Sequence, residues 1–297
     1  MKKTEDMSSI VYVIKKLLAL IIIMVISSIL AEGIVIIAHY IMGYNVLNGE
    51  ILPMEIMLLM KYYGYSIFIL ITIIYCKFIE KRSIKSMGFN KKVFDYLKGM
   101  LVGIILLVLS IIITILAGSI SYHGIYKDIN YFMIVLFWGA FMIQGAMEET
   151  LCRGFLMISL MQKISIPFAI FISSLVFMIP HFSSLFGGEL IYSFFGIVNL
   201  FLVSIIFSLL IMNKKTIWIA CGMHSFWNFC LFNIFGLNLS GTQKTIAVFN
   251  LGIDTKNILN GGTYGIEASA ITTVVLSVYV GHLILKVRKI KCESIEI

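Results

Sequence analysis

The sequence predicts an all-α, polytopic membrane protein, a transmembrane bundle of about eight helical spans. Three observations carry this. Hydrophobic residues make up 60% of the 297 positions and charged residues 13%, about half the charged share of a soluble domain. The apolar residues fall in continuous runs of about 20, the length that crosses a bilayer, rather than in the period-two alternation of a barrel. Only three prolines interrupt them.

Taken in order, the spans are expected at about 17–38, 56–79 and 100–120, then from Tyr131 past Glu148-Glu149, then at 164–182, 190–212, 216–235 and 266–285. Met1 to Lys16 reads as a polar lead, and its basic start and long apolar run as a first span rather than a cleaved signal. The run contains Glu32 and no clear small-residue cleavage site. Between the second and third spans, Lys77 to Lys98 mixes seven basic residues with Phe89, Val93, Phe94 and Leu97. That mixture predicts a piece lying along the membrane surface. Ser121–Asn130 and Ser183–Glu189 read as short loops, the latter holding Gly187-Gly188, and 236–265 as a longer connection. No separate soluble domain and no internal repeat stands out, so residues 1–297 form a single integral membrane domain.

The net charge of +8 is not a nucleic-acid signal, because of where the charges fall. With eight spans, nineteen of the 23 Lys and Arg lie on the side of the two termini. The other side has Lys127, Lys244 and Lys256, and Lys61 lies within a span. Positive charge collects on the cytoplasmic side, so both termini are expected there, in what is expected to be a bacterial cell membrane. The partners implied are the lipid bilayer and a substrate. The five cysteines, Cys76, Cys152, Cys221, Cys230 and Cys292, contain no CxxC pair and read as small apolar-helix residues rather than a disulfide or zinc framework.

The stretch Gln144-Gly145-Ala146-Met147-Glu148-Glu149-Thr150-Leu151-Cys152-Arg153 stands apart. Ionisable groups inside a span cost about 2.5–3.5 kcal/mol each and mark functional sites. Glu149 and Arg153 are four apart and share a helix face, so they can pair, while Glu148 points to an adjacent face and stays free. A free, desolvated carboxylate suits a general base. Two later spans bring His181, in Phe177-x-x-x-His181, and His224 with Asn228, again four apart. His39, His123 and His282 have no such company and read as structural.

Two chemistries fit these residues. Glu148 with a neutral imidazole can position and deprotonate a water, while a second imidazole and the Asn228 amide stabilise an oxyanion. Alternatively, Glu148, His181 and His224 bind a metal, most plausibly zinc, leaving one position for water. There is no His-Glu-x-x-His motif. Counting residues from the cytoplasm places Glu148 in the inner half of its span and His181 near the outer end of the next, an apparent depth mismatch of about 10 Å. The chemistry requires the two to approach within about one water of each other.

Glu148-Glu149-x-x-x-Arg153, Phe177-x-x-x-His181 and His224-x-x-x-Asn228, in that order and with Gly154-Phe155 after the arginine, resemble the motifs of the CAAX prenyl endopeptidase type II and bacteriocin-processing (CPBP, or Abi) family of intramembrane proteases. The resemblance covers about Gln144 to Phe229, with a family core expected at about 131–236. It implies an intramembrane endopeptidase in which Glu148 activates water and His181 helps hold it. His224 and Asn228 stabilise the oxyanion, and Glu149 and Arg153 support. The implied substrate is a peptide or a lipidated, including prenylated, protein. Family members are described both as metal-dependent and as metal-free. Bacterial members are linked to peptide maturation, bacteriocin immunity and membrane scaffolding, so a non-proteolytic immunity or scaffold protein is the alternative. A transporter with Glu148 in a proton relay lacks the paired repeats and broken helices of that class. The chain's own end, with Cys292 five residues from Ile297, is not a prenylation site.

Overall fold

The fold comes from a computed structural model that describes residues 8–186, 189–243 and 246–293. Gly187, Gly188, Lys2, Lys3 and Lys244, and the side chains of Arg288, Lys289, Lys291 and Cys292, lie outside the described residues. Eight helices run in sequence: α1 Ser9–Ile41, α2 Met54–Ile79, α3 Asp95–Leu116, α4 Tyr131–Leu160, α5 Ile166–Leu185, α6 Leu190–Lys214, α7 Trp218–Phe229 with a wider turn to Ile234, and α8 Ala270–Glu293. All but α7 are long and apolar enough to cross a membrane. The chain is an integral, multi-pass, all-α bundle.

The ends follow local chemistry. Ser8 caps α1 by accepting from the Val11 N–H, and Asn130 caps α4 from the Met133 N–H, each satisfying a donor the helix cannot use. Pro167 sits in the first turn of α5, where a missing N–H costs nothing. Lys215, with φ 54°, ends α6 in the left-handed region.

The two faces of the bundle are recognisable from contacts between connections. On one face Ser9 donates to the Lys163 carbonyl, Arg82 to Ser159, and Asn90 to the Lys215 carbonyl. This is the face of the termini. On the other, Ser121 meets Asp254, and Asn260 donates to the Ser119 carbonyl at 2.9 Å.

Three expectations are corrected. The polar lead is shorter than its charges suggest, because α1 starts at Ser9 and carries Lys15 and Lys16 inside it. Lys16 is buried and pairs with Glu80, which also holds Arg82, so a paired lysine is tolerated where an isolated one would not be. Residues 77–98 do not simply lie on the surface. Phe94 is 77% exposed, but Met87 is 0% exposed and Phe89 packs edge-on against Trp218, while the Gly88 carbonyl accepts from the Ile217 N–H. The segment is a shelf on which α7 starts. Finally, Ser121–Ile125 is not a plain loop: it forms a strand, β1, antiparallel to β2, Phe249–Gly252. Its edge-to-face Tyr122–Phe249 pair is the kind of cross-strand contact that stabilises a ribbon.

Helix α7 sits in the middle, and glycines put it there. A Cβ on Gly99 would lie 1.9 Å from the Ile219 carbonyl oxygen, and one on Gly222 would lie 2.0 Å from that of Tyr96. On its other side, a Cβ on Gly145 would lie 2.6 Å from the Ser225 hydroxyl. Backbones of α3 and α4 therefore close on α7 to a distance only small residues permit. This holds His224 and Asn228 against the Glu148-Glu149 segment.

Candidate active site

The site is built where α4 loses its regular winding. Glu148 and Glu149 end the α-helical part, and Thr150–Met157 winds more widely. Such π-type turns recur at functional sites. Ser173 of α5 donates to the Cys152 carbonyl at 2.8 Å within this stretch.

Glu149 and Arg153 are both 0% exposed, with Arg153 Nη1 2.8 Å from Glu149 Oε1. Arg153 Nη2 donates to the carbonyl and hydroxyl of Ser204 on α6, and that hydroxyl donates to Ser174 on α5. The guanidinium carbon lies 4.6 Å from the Phe177 ring centre and 5.1 Å from that of Phe207. A buried arginine is thus paired, hydrogen-bonded and placed against aromatic faces, each of which offsets its desolvation.

The two glutamates differ as their helical spacing predicts. The Glu148 side chain keeps 22% of its exposure. Its Oε1 accepts from Gln144 Nε2 at 2.7 Å, and its Oε2 lies 3.7 Å from His224 Nε2. Gln144 in turn accepts from Asn228 Nδ2 at 2.8 Å. His224 stacks on Phe207, ring centres 4.9 Å apart, and its Nδ1 is 3.1 Å from Glu149 Oε1. An ionised carboxylate only accepts. The Nδ1 of His224 therefore carries a proton, and Nε2 is the atom turned to Glu148.

His181 is placed differently from the rest. It follows a tight turn at Ile179–His181 that includes Pro180, and its Nδ1 bonds the Phe177 carbonyl at 3.2 Å. A carbonyl only accepts, so Nδ1 carries the proton and Nε2 is left as an acceptor. His181 makes no direct hydrogen bond or ion pair with Glu148 among the described residues. It meets His224 and Asn228 through a shared cavity of about 40 Å³ lined by His181, His224, Asn228, Trp227, Ser240 and Glu267, with Phe177 and Phe207 among its apolar walls. At about 10–15 Å³ per probe-sized water, the cavity has room for about three or four.

Residues 130–230 match the model of the Type II CAAX prenyl endopeptidase Rce1-like family. This segment is similar to an Rce1-like domain. It runs from the cap of α4 to Cys230, one residue beyond Phe229, so it contains Glu148, Glu149, Arg153, His181, His224 and Asn228. Searches of the curated proteins and of the solved structures each returned no match.

A zinc ion held by three protein ligands needs its donors within about 2.0–2.3 Å of one point. Among the described residues no three His, Cys, Asp or Glu groups converge in that way. Within the matched segment Glu148 and His224 approach each other, while His181 makes no hydrogen bond or ion pair with Glu148 among the described residues and keeps Nε2 free. As placed here, Glu148, His181 and His224 do not converge on one point.

Three polar residues complete the site beyond those the motifs single out. Gln144 joins Glu148 to Asn228. Its signal was a second amide four residues before Glu148 in an apolar run. Ser204 anchors Arg153 and had no signal, being one of many small residues in α6. Glu267, just before α8, accepts from Trp227 Nε1 at 3.2 Å and from Ser240 N at 2.6 Å and Oγ at 3.0 Å. Dense surroundings push its carboxyl above the ordinary range, against the opposing pull of the Ser240 donors, the nearby His181 and Trp227. An acid at the head of an apolar span was the signal available for it.

Proposed function

We propose that this chain is an intramembrane endopeptidase that hydrolyses a peptide bond near the membrane, in a peptide or a lipidated protein, using a water activated by Glu148. The setting is the cell membrane of a bacterium. The observation that carries the reading is the Gln144 bridge: one amide hydrogen-bonds Glu148 and Asn228, fixing base and oxyanion donor relative to each other.

The roles follow from the donors. Glu148 is the more accessible carboxylate, and its Oε2 takes the proton of a water beside it. The free Nε2 of His181 accepts the water's other hydrogen and orients it. The second N–H of Asn228 is available to the oxygen that becomes negative as the water attacks. Glu149 holds the Nδ1 proton of His224, so His224 donates from Nε2 only as an imidazolium. In that form Glu148, Glu149, Arg153 and His224 sum to zero formal charge, which is the arrangement a low-dielectric site favours. When the C–N bond breaks, the proton held by Glu148 passes to the leaving nitrogen.

The test compares membrane peptidomes of cells expressing wild type and Glu148→Gln at equal protein levels. Glutamine keeps the shape and removes the base, and loss of general-base catalysis lowers the rate about 10²–10⁴-fold. Specific cleavage products should disappear, and they name the substrate and show whether it carries a prenyl group. Identical peptidomes alongside a phenotype on deletion would instead support a scaffold or immunity role, with the polar cluster serving to join helices.

A further inference from the structure

We propose that Glu267 is the gate post of this site: it holds the turn at Ser240 closed over the cavity, and the turn must leave it before a peptide can enter. This rests on reading the cavity as the peptidase site. The volume of about 40 Å³ admits water, well below the roughly 300–1,000 Å³ of pockets that hold organic ligands. Some wall therefore has to move when substrate binds.

The walls are unequal. Phe177, Leu200, Val203, Phe207, His224 and Asn228 project from α5, α6 and α7, which pack into the bundle. Ser240 lines the cavity from a turn between α7 and α8, closed by Leu239–Thr242 backbone bonds of 3.0 and 2.7 Å. Its φ is +47°, a left-handed conformation that disfavours a residue with a Cβ. Both of its donors, N–H and hydroxyl, go to the same oxygen of Glu267. The strained turn is thus tied to a carboxylate by hydrogen bonds stronger than neutral ones, beside a single longer backbone bond from the Gly241 N–H to the Tyr264 carbonyl at 3.2 Å.

The post itself is fixed. Asn199 of α6 donates to the Glu267 and Ser269 carbonyls at 2.9 and 3.0 Å. Trp227 of α7 holds the other carboxylate oxygen. Release of Ser240 would move the turn and leave Glu267 where it is, with an acceptor open to the N–H of an incoming peptide. The gate lies at the face of the bundle away from the termini, since α8 begins and α7 ends there.

The test reads water access rather than cleavage. A Val203→Cys reporter faces the cavity, and its conversion to a mixed disulfide by a small water-soluble methanethiosulfonate, with release of methanesulfinate, is followed by mass spectrometry on the full chain in lipid nanodiscs. Native Cys221, 0% exposed, is the internal control. Adding Glu267→Ala should raise the rate at position 203 about tenfold or more, the factor that loss of one hydrogen bond to a charged group implies. Glu267→Gln should fall between, and Cys221 should not change. Equal rates at position 203 in all three proteins would overturn the proposal. So would a parallel rise at Cys221, which would make Glu267 a support of the whole fold. Should Glu267→Ala fail to fold, Ser240→Ala removes one of the two bonds and leaves the carboxylate paired. It should accelerate labelling to a smaller extent, and an unchanged rate there would equally count against the gate. The outcome does not depend on whether Glu148→Gln stops proteolysis, so the two readings fail separately.

Discussion

His224 Nδ1 lies 3.1 Å from Glu149 Oε1, the same oxygen that Arg153 Nη1 holds at 2.8 Å. One buried oxygen therefore fixes the ring on α7 and neutralises charge on α4. Glu149 is more than a partner for arginine: it decides which nitrogen of His224 faces Glu148.

Replacing Arg153 with methionine should leave Glu149 uncompensated in the core. Removing one member of a buried pair costs about 3–5 kcal/mol. Thermal unfolding of the purified protein in detergent should show a large drop, partly recovered in the double variant Glu149→Gln with Arg153→Met. A small drop in the single variant would mean that Ser204 and the flanking phenylalanines, not the ion pair, hold this region.

Asn228→Ala separates catalysis from packing. Removing an oxyanion donor lowers turnover about 10²–10³-fold. The hydrogen bond to Gln144 that is lost with it contributes about 1 kcal/mol. Cleavage of the substrate identified from the peptidome should fall by that factor while the melting temperature shifts little. Retained turnover would remove Asn228 from the mechanism.

The close contact of α3 and α7 is testable at Gly222. Alanine there would put a Cβ 2.0 Å from the Tyr96 carbonyl oxygen, and backbone cannot yield as a side-chain tip can. Overpacking of this kind costs about 1–3 kcal/mol, and the shift should misplace His224 and Asn228 and lower activity as well. Gly281→Ala, with nothing within 4 Å of the added Cβ, should be neutral or stabilise α8 by up to about 1 kcal/mol. Similar melting curves for the two variants would contradict the packing argument.

The Glu267 carboxyl is raised above its ordinary 4.5 by its surroundings. A raised acid favours folding when protonated. Its contribution is complete below about pH 4.5 and is lost as pH rises through the higher folded value. The groups that face it, His181, His224 and Tyr264, are unchanged in Glu267→Gln. The melting temperature of wild type minus that of Glu267→Gln should therefore decline with pH above 4.5. A difference that does not vary with pH would show that Glu267 keeps an ordinary carboxyl.

Most of the bundle was legible because hydrocarbon imposes one rule: apolar runs of sufficient length become helices. The paired charges of Glu149 and Arg153 followed from helical spacing alone. What sequence could not show was tertiary. Lys16 looked like a flanking charge until Glu80 appeared beside it. Residues 77–98 read as a surface piece because the docking of Phe89 on Trp218 joins segments more than a hundred residues apart. Counting positions set His181 and Glu148 at different depths. The two make no direct hydrogen bond or ion pair; His181 shares its cavity with His224 and Asn228, and Glu148 meets that group through His224 and Gln144.

Helix α7 is shorter than the span of a bilayer and is enclosed by its neighbours. Its seventeen residues from Trp218 to Ile234 rise about 25 Å at 1.5 Å each. When acyl chains lengthen or shorten, the outer helices tilt to match, while the helix bearing His224 and Asn228 has little lipid to answer to. This part of the proposed site is insulated from the thickness of the membrane that houses it, so a cell could remodel its lipids without retuning it.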